Sequence, residues 1–158
     1  MQHAILTGEF ELAIDEKNRL LIPAEIRKSI DPERDGEAFF LTVGVNRKPW
    51  LYPEKNYAAL VNAERQDIIP DADNLAFDQM FFANAARVDM DKAGRILIPD
   101  KTLRRTATGK EVTLIGVNNH LELWNRADWE SRFNELTIWE QRRSAARQSV
   151  QSPPQPPP

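Results

Sequence analysis

The sequence predicts an α+β fold, mainly β, in which two copies of one module share a single pseudo-dimeric barrel with flanking helices. Three observations carry this expectation. A nine-residue motif occurs twice, DEKNRLLIP at 15–23 and DKAGRILIP at 91–99, an offset of 76. Each motif is followed by the same punctuation: a basic amphipathic piece, a strand running into Gly-Val-Asn, a second short strand, and a helix with an aromatic at the same place, Tyr57 or Trp129. A unit of about 50 residues buries too little surface to stand comfortably alone, so two copies in one chain are expected to share a core.

Taken in order, Glu9–Ile14 and Ala86–Met90 lead into the two motifs. Asn18 and Gly94 are the residue types that best accept positive φ, so each D-x-x-[N/G]-R segment is expected to form a tight hairpin turn. Asp15 and Asp91 open these turns and can cap them through their own backbone. Leu20–Ile22 and Ile96–Ile98 are short apolar runs of the strand type. Pro23 and Pro99 end those strands and suit the first turn of short helices at 24–30 and 100–106. The second of these pieces reads as one residue longer, near Lys101–Thr102. Gly36 and Gly109 lie where the two short helices should stop.

Strands follow at 38–46 and 110–118, then Leu51-Tyr-Pro and Leu123-Trp-Asn. Pro53 introduces a helix over 54–66 with an apolar face of Tyr57, Leu60 and Val61. Residues 73–82 read as another helix. Residues 126–146 read as the last, with Trp129, Phe133 and Leu136 at i, i+4 and i+7. The helices at 54–66 and 126–146 are expected outside the barrel or between subunits. The end, QSPPQPPP at 151–158, holds five of the eleven prolines. Proline donates no N–H, so this stretch reads as a disordered polyproline-II-like tail, with a P-x-x-P ligand at Pro153–Pro156 as the alternative. The chain therefore divides into modules at 7–54 and 83–126, a helical connection at 55–82, a C-terminal helix at 127–148 and a tail at 149–158.

Composition narrows the function. Zero Cys excludes disulfides and thiolate chemistry, and His3 and His120, read as incidental surface residues, are too far apart in sequence to suggest a zinc site. No metal or other cofactor is expected. No apolar run is long enough to span a membrane, and the first residues lack the pattern of a signal peptide. No P-loop, nucleophile elbow, dinucleotide fingerprint or histidine constellation points to an enzyme. The net charge is −3, so no global basic field marks a nucleic-acid binder. The charge is uneven, however: residues 1–76 carry −5 and residues 77–158 carry +2. Any DNA contact must be local.

The tandem D-x-x-[N/G]-R-[L/I]-x-I-P motif, the leading Gly8-Glu-Phe-Glu, Leu51-Tyr-Pro, and Ile115-Gly-Val-Asn with Leu121-Glu-Leu-Trp together resemble the MraZ family over about residues 7–136. The resemblance implies a bacterial transcriptional regulator built from two AbrB-like swapped-hairpin modules, cytoplasmic and nucleoid-associated. It further implies a ring-like homo-oligomer that binds double-stranded DNA at short direct repeats upstream of the division and cell-wall gene cluster. The family usually has Gly where Asn18 stands and often Arg where Val43 stands.

The motif's chemistry fits such a role. A two-stranded ribbon fits the major groove, and an Arg fork can bridge guanine O6 and N7 or hold a phosphate. The expected DNA contacts are Lys17 and Arg19 in the first copy and Lys92 and Arg95 in the second. Arg27 with Lys28, and Arg104 with Arg105, sit at plausible phosphate positions or on a solvated helix face. By spacing alone, Asp15–Arg19 and Asp91–Arg95 read equally as ion pairs that lock a hairpin. Arg142, Arg143 and Arg147 form a basic helix end, solvated or in auxiliary phosphate contact. The four Trp are expected in the core or at subunit contacts. The rival function is an AbrB-type antitoxin or a protein-binding module without an operator role.

Overall fold

The computed structural model describes residues 3–63 and 68–151. The chain through Asn125 forms one compact unit, and the chain from Arg126 forms a second. The first contains β1 (Glu9–Ala13), β2 (Arg19–Leu21), α1 (Ala24–Ser29), α2 (Pro32–Asp35), β3 (Ala38–Val43), β4 (Pro49–Pro53), α3 (Glu54–Ala63) and α4 (Ala72–Ala83). It continues with β5 (Ala86–Asp89), β6 (Arg95–Leu97), α5 (Asp100–Arg105), β7 (Glu111–Gly116) and β8 (Leu121–Asn125). The second unit is α6 (Arg126–Gln151).

Strand pairing crosses between the copies. A six-stranded sheet runs β1-β7-β8-β4-β3-β5, and a separate ribbon pairs β2 with β6. Glu9 lies opposite Ile115 and Ala38 opposite Asp89, so each copy's first strand pairs with the other copy's third. The two halves meet where Trp50 faces Glu122 and Leu51 faces Leu121. The sheet is thus not the closed barrel the sequence suggested: β1 and β5 are its edges. Each ribbon strand is held to three residues, between its turn on one side and Pro23 or Pro99 on the other. Proline offers no N–H with which to extend the ladder toward closure.

Alternation along the strands separates two packed faces. Phe39, Leu41, Leu51, Val112, Leu114, Leu121 and Leu123 point to one core, joined by Leu20, Ile22, Ile96 and Ile98 from the ribbon. On the opposite face of β3 and β4, Tyr52 packs with Tyr57 of α3 and Phe81 of α4, with Phe40 and Trp50 beside them. Phe40 and Tyr57 stack at 4.4 Å. The hydroxyl of Thr42 donates to the carbonyl of Phe81 and fixes α4 to β3. The N-terminal segment crosses β7 so closely that a Cβ on Gly116 would lie 2.4 Å from the Thr7 nitrogen. There Leu6 and Asn118 form a bridge.

Several expectations need correction. The helices α1 and α5 both have six residues, so the second copy carries no extra residue near Lys101–Thr102. The copies differ because the first contains α2. Gly36 closes α2 rather than α1. In the second copy Ala107, not Gly109, takes the left-handed conformation after α5, with φ 50°. There the backbone N–H of Gly109 donates instead to the Asn125 side chain, at 2.7 Å. His120 is buried rather than superficial, 2.9 Å from Glu122. Of the Trp expected in the core or at subunit contacts, Trp124 is buried in the sheet, and Trp139 on α6 is 58% exposed in the single chain. α6 continues to Gln151, past the expected start of the tail. Residues 64–66 of the helix read over 54–66, and the Pro-rich end at 152–158, lie outside the described residues.

α2 is organised by a buried carboxylate. Asp35 is fully buried and accepts from the Arg34 guanidinium at 2.7 Å, the Asp31 N–H at 2.9 Å and the Ala4 N–H at 3.2 Å. Burial pushes its pKa up, but the Arg34 guanidinium and the two N–H donors outweigh this and hold it below the ordinary carboxylate range. Asp35→Ala leaves these donors without their acceptor and should cost about 1.5–3 kcal/mol in urea unfolding. Because the folded pKa is lowered, this contribution is present above the unfolded pKa and disappears as pH falls through the folded one. The gap between wild type and variant should therefore close in acid.

Candidate nucleic-acid interface

The two motif turns have the same backbone. In the first, Asn18 N–H donates to the Asp15 carbonyl and Asp15 N–H to the Arg19 carbonyl, both at 3.0 Å. In the second, Gly94 N–H donates to the Asp91 carbonyl at 3.0 Å and Asp91 N–H to the Arg95 carbonyl at 2.8 Å. Asn18 and Gly94 take φ 61° and 82°, as the expected hairpin turns require. Asp15 Oδ1 accepts the N–H groups of Lys17 and Arg19 at 2.9 Å, and its Oδ2 accepts Arg19 Nε at 2.8 Å. Asp91 does the same with Ala93, Arg95 and Arg95 Nε, all at 2.9 Å. The Arg19 N–H, then the Arg19 side chain and the Lys17 N–H, lower the Asp15 pKa, and the Arg95 and Ala93 groups lower that of Asp91. Each carboxylate therefore accepts two backbone N–H groups of its own turn together with the Nε of its Arg.

The capping and DNA-contact readings of these pairs are geometrically compatible. The aspartate engages the Nε of each arginine, so the Nη groups at the fork's end remain for another acceptor. Roughly a third of each Arg side chain is exposed. Lys17 and Lys92 lie exposed on the same turns.

The ribbon holds the turns together. Ile22 N–H donates to the Gly94 carbonyl and Ile98 N–H to the Asn18 carbonyl, both at 2.8 Å. In β2–β6, Arg19 lies opposite Leu97 and Leu21 opposite Arg95, while Leu20 and Ile96 are buried beneath. One outer face therefore carries two arginines and two exposed leucines, Leu21 at 44% and Leu97 at 60%. The leucines escaped the motif-based reading. Their signal was the alternation itself, since an inward Leu20 and Ile96 turn their neighbours out.

The other candidates divide. Arg27 Nε donates to the Ile22 carbonyl at 3.0 Å, and its guanidinium lies over the second copy's turn, where a Cβ on Gly94 would meet it at 2.9 Å. Lys28 is exposed on the same short helix. Arg104 is exposed but paired with Asp100 at 2.8 Å, and Arg105 donates to the Asn84 side chain at 2.9 Å. Lys110, unforeseen, donates to the Asp15 carbonyl at 3.1 Å and to Asn18 Oδ1 at 3.3 Å. Among the described residues no group of acidic or histidine side chains is arranged to hold a metal ion, and no helix is long and apolar enough to cross a membrane.

Comparison with known proteins bears on this arrangement. The family model described as "MraZ protein, putative antitoxin-like" matches residues 5–77 and again 81–151, one match for each copy. The chain belongs to the MraZ family. It is similar to the transcriptional regulator MraZ of Heliobacterium modesticaldum, 37% identical over 128 residues that cover 81% of this chain and 85% of the relative. The Clostridium tetani regulator is 32% identical over 131 residues, covering 83% and 88%, and that of Moorella thermoacetica 34% over 130 residues, covering 82% and 87%. Against the MraZ pattern, Asn18 in place of Gly leaves the turn intact. Val43, where the family often has Arg, is buried in β3 and offers no charge to a ligand.

If the aspartates build the turns, Asp15→Ala should accelerate amide exchange at Lys17 and Arg19 while leaving the turn at Asp91 protected. Asp91→Ala should do the reverse at Ala93 and Arg95. Exchange followed by NMR checks this, and equal protection in the variants would assign the turns to the backbone alone.

Proposed function

We propose that the protein is a sequence-specific, DNA-binding transcriptional regulator that reads double-stranded DNA with its β2–β6 ribbon. The observation that carries this is the shared outer face on which two identically built turns present Arg19 and Arg95. Arg19 and Arg95 contact guanine edges or phosphates through their Nη groups, and Leu21 and Leu97 meet thymine methyls between them. Lys17 and Lys92 hold flanking phosphates, with Arg27 and Arg104 as outer contacts. Asp15, Asn18, Asp91 and Gly94 support the turns. The names of the relatives and the family match support the regulatory reading.

The finer form of the proposal has modules at 7–54 and 83–126 that exchange hairpins, and a ring of identical chains in the cytoplasm, associated with the nucleoid. The ring binds direct repeats upstream of the division and cell-wall gene cluster. A head-to-tail ring suits direct repeats, and several weak modules meeting evenly spaced sites gain about 10²–10⁴ in avidity. That gain compensates for an acidic chain whose own field opposes non-specific binding. The second reading, an antitoxin-type module holding a protein partner, draws on the antitoxin-like wording of the family description.

A gel-shift titration with the DNA upstream of the protein's own gene tests the proposal. Arg19→Ala and Arg95→Ala together should abolish binding while native mass spectrometry finds the oligomer unchanged. Wild-type affinity in the double variant overturns the assignment, and no shift with the wild-type chain favours the antitoxin reading. Affinity should also fall steeply with salt, by about a factor of ten or more between 50 and 200 mM, because phosphate contacts release counterions.

A further inference from the structure

The C-terminal half of α6 buries no side chain: every residue from 137 to 150 is exposed. Residues 141–151 carry Arg142, Arg143 and Arg147 and no Asp or Glu, in a chain whose net charge is −3. We propose that this basic face of α6 binds the sugar–phosphate backbone of double-stranded DNA without reading its bases. The inference rests on the DNA-binding reading above and adds to it a second contact, outside the ribbon.

The three cations share one face. At 3.6 residues per turn, Arg142, Arg143 and Arg147 fall within about 140° around the helix, with Trp139 between them. Gln141, Ser144 and Gln148 occupy the other side. The Arg142 guanidinium lies over the Trp139 ring, 5.4 Å from its centroid. The indole beneath limits the directions in which the fork can point and leaves its edge N–H groups for an acceptor. Arg132, earlier on the helix, is paired with Glu135 at 3.2 Å, whereas among the described residues no carboxylate pairs with Arg142, Arg143 or Arg147. Glu140, three positions before Arg143, forms no ion pair with it.

Nothing internal to the helix accounts for these cations. The macrodipole favours cations within the last turn, and none of the three lies there. A helical segment that buries no face and pairs none of its charges is marginal by itself in water. Duplex DNA supplies the missing partner, a regular array of phosphates, each able to accept an Arg fork through two oxygens. A lipid surface fits less well. A membrane-surface helix sets its apolar residues opposite its basic ones, whereas here Trp139, Ala146 and Val150 lie on the basic face itself.

Gel-shift titration of the full chain tests this, with the DNA upstream of the protein's own gene and an unrelated duplex of equal length. Arg142→Gln, Arg143→Gln and Arg147→Gln together should weaken binding to both duplexes by the same factor, about ten- to a hundredfold near 150 mM salt. The slope of log affinity against log salt should become shallower by about two to three per chain. The corresponding triple Lys variant keeps the charge and should restore the slope. Circular dichroism and the oligomer found by native mass spectrometry should be unchanged in both variants. Unchanged affinity and slope in the Gln variant overturn the proposal, as does a loss confined to one duplex or a Lys variant that restores nothing. Loss of the oligomer in the Gln variant overturns it too and assigns the face to a second copy of the chain. These outcomes leave the ribbon reading standing, whereas no shift with the wild-type chain removes the DNA-binding reading itself.

Discussion

Two hydrogen bonds at the ends of the ribbon, Ile22 N–H to the Gly94 carbonyl and Ile98 N–H to the Asn18 carbonyl, are the constraint on which the rest depends. Each accepts at the one residue of a turn that must be left-handed. The carbonyl is aimed at the other copy only because Asn18 and Gly94 sit at φ 61° and 82°. In the same turns the Asp side chain gathers the following N–H groups and also holds the Nε of Arg19 or Arg95. Backbone chirality, cross-copy pairing and the placement of the cationic side chains are one linked arrangement.

The two turns are alike in backbone but unlike in their supports. Lys110 straps the first from the strand behind it, whereas Arg27 covers the second from a short helix. The duplicated motif has therefore been relieved of strict symmetry outside its nine residues. This asymmetry gives the two tips different electrostatic surroundings, with an ammonium behind one and a guanidinium above the other. The left-handed positions differ accordingly: a Cβ at Gly94 would have to displace the end of the Arg27 side chain, while Asn18 adds an acceptor for Lys110.

Much of this was legible in the sequence, because the decisive signals were local. Alternating apolar residues, Asn or Gly at the fourth turn position and Pro after each apolar run determine turns and strand ends within a few residues. What escaped depended on distant partners. Lys110 meets Asp15 across more than ninety positions, and nothing in its own neighbourhood announces that contact. His120 looked incidental because Glu122 and Trp50, which bury it, signal nothing by spacing alone. Barrel closure follows from economy of burial alone, but the main sheet stays open, with β1 and β5 at its edges and the short ribbon paired separately. Gly109 misled because composition marks where a left-handed residue is cheap, and Ala107 adopts that conformation beside α5 at a cost its hydrogen bonds offset.

The crossed pairing of β1 with β7 also bears on how the chain reaches its native state. Glu9 leaves the ribosome long before Ile115, its eventual neighbour across the ladder, has been synthesised. The first module cannot finish its own sheet, because the strand that completes it belongs to the second. Contacts so distant in sequence carry a large loop-closure entropy and slow the folding of β-rich chains. Until β7 emerges, β1 is an unpaired edge, and a β7 from another nascent chain could pair with it as well as its own. The duplication that makes the ribbon possible thus exposes the newborn protein to intermolecular strand exchange, and gives it reason to complete its synthesis before it folds.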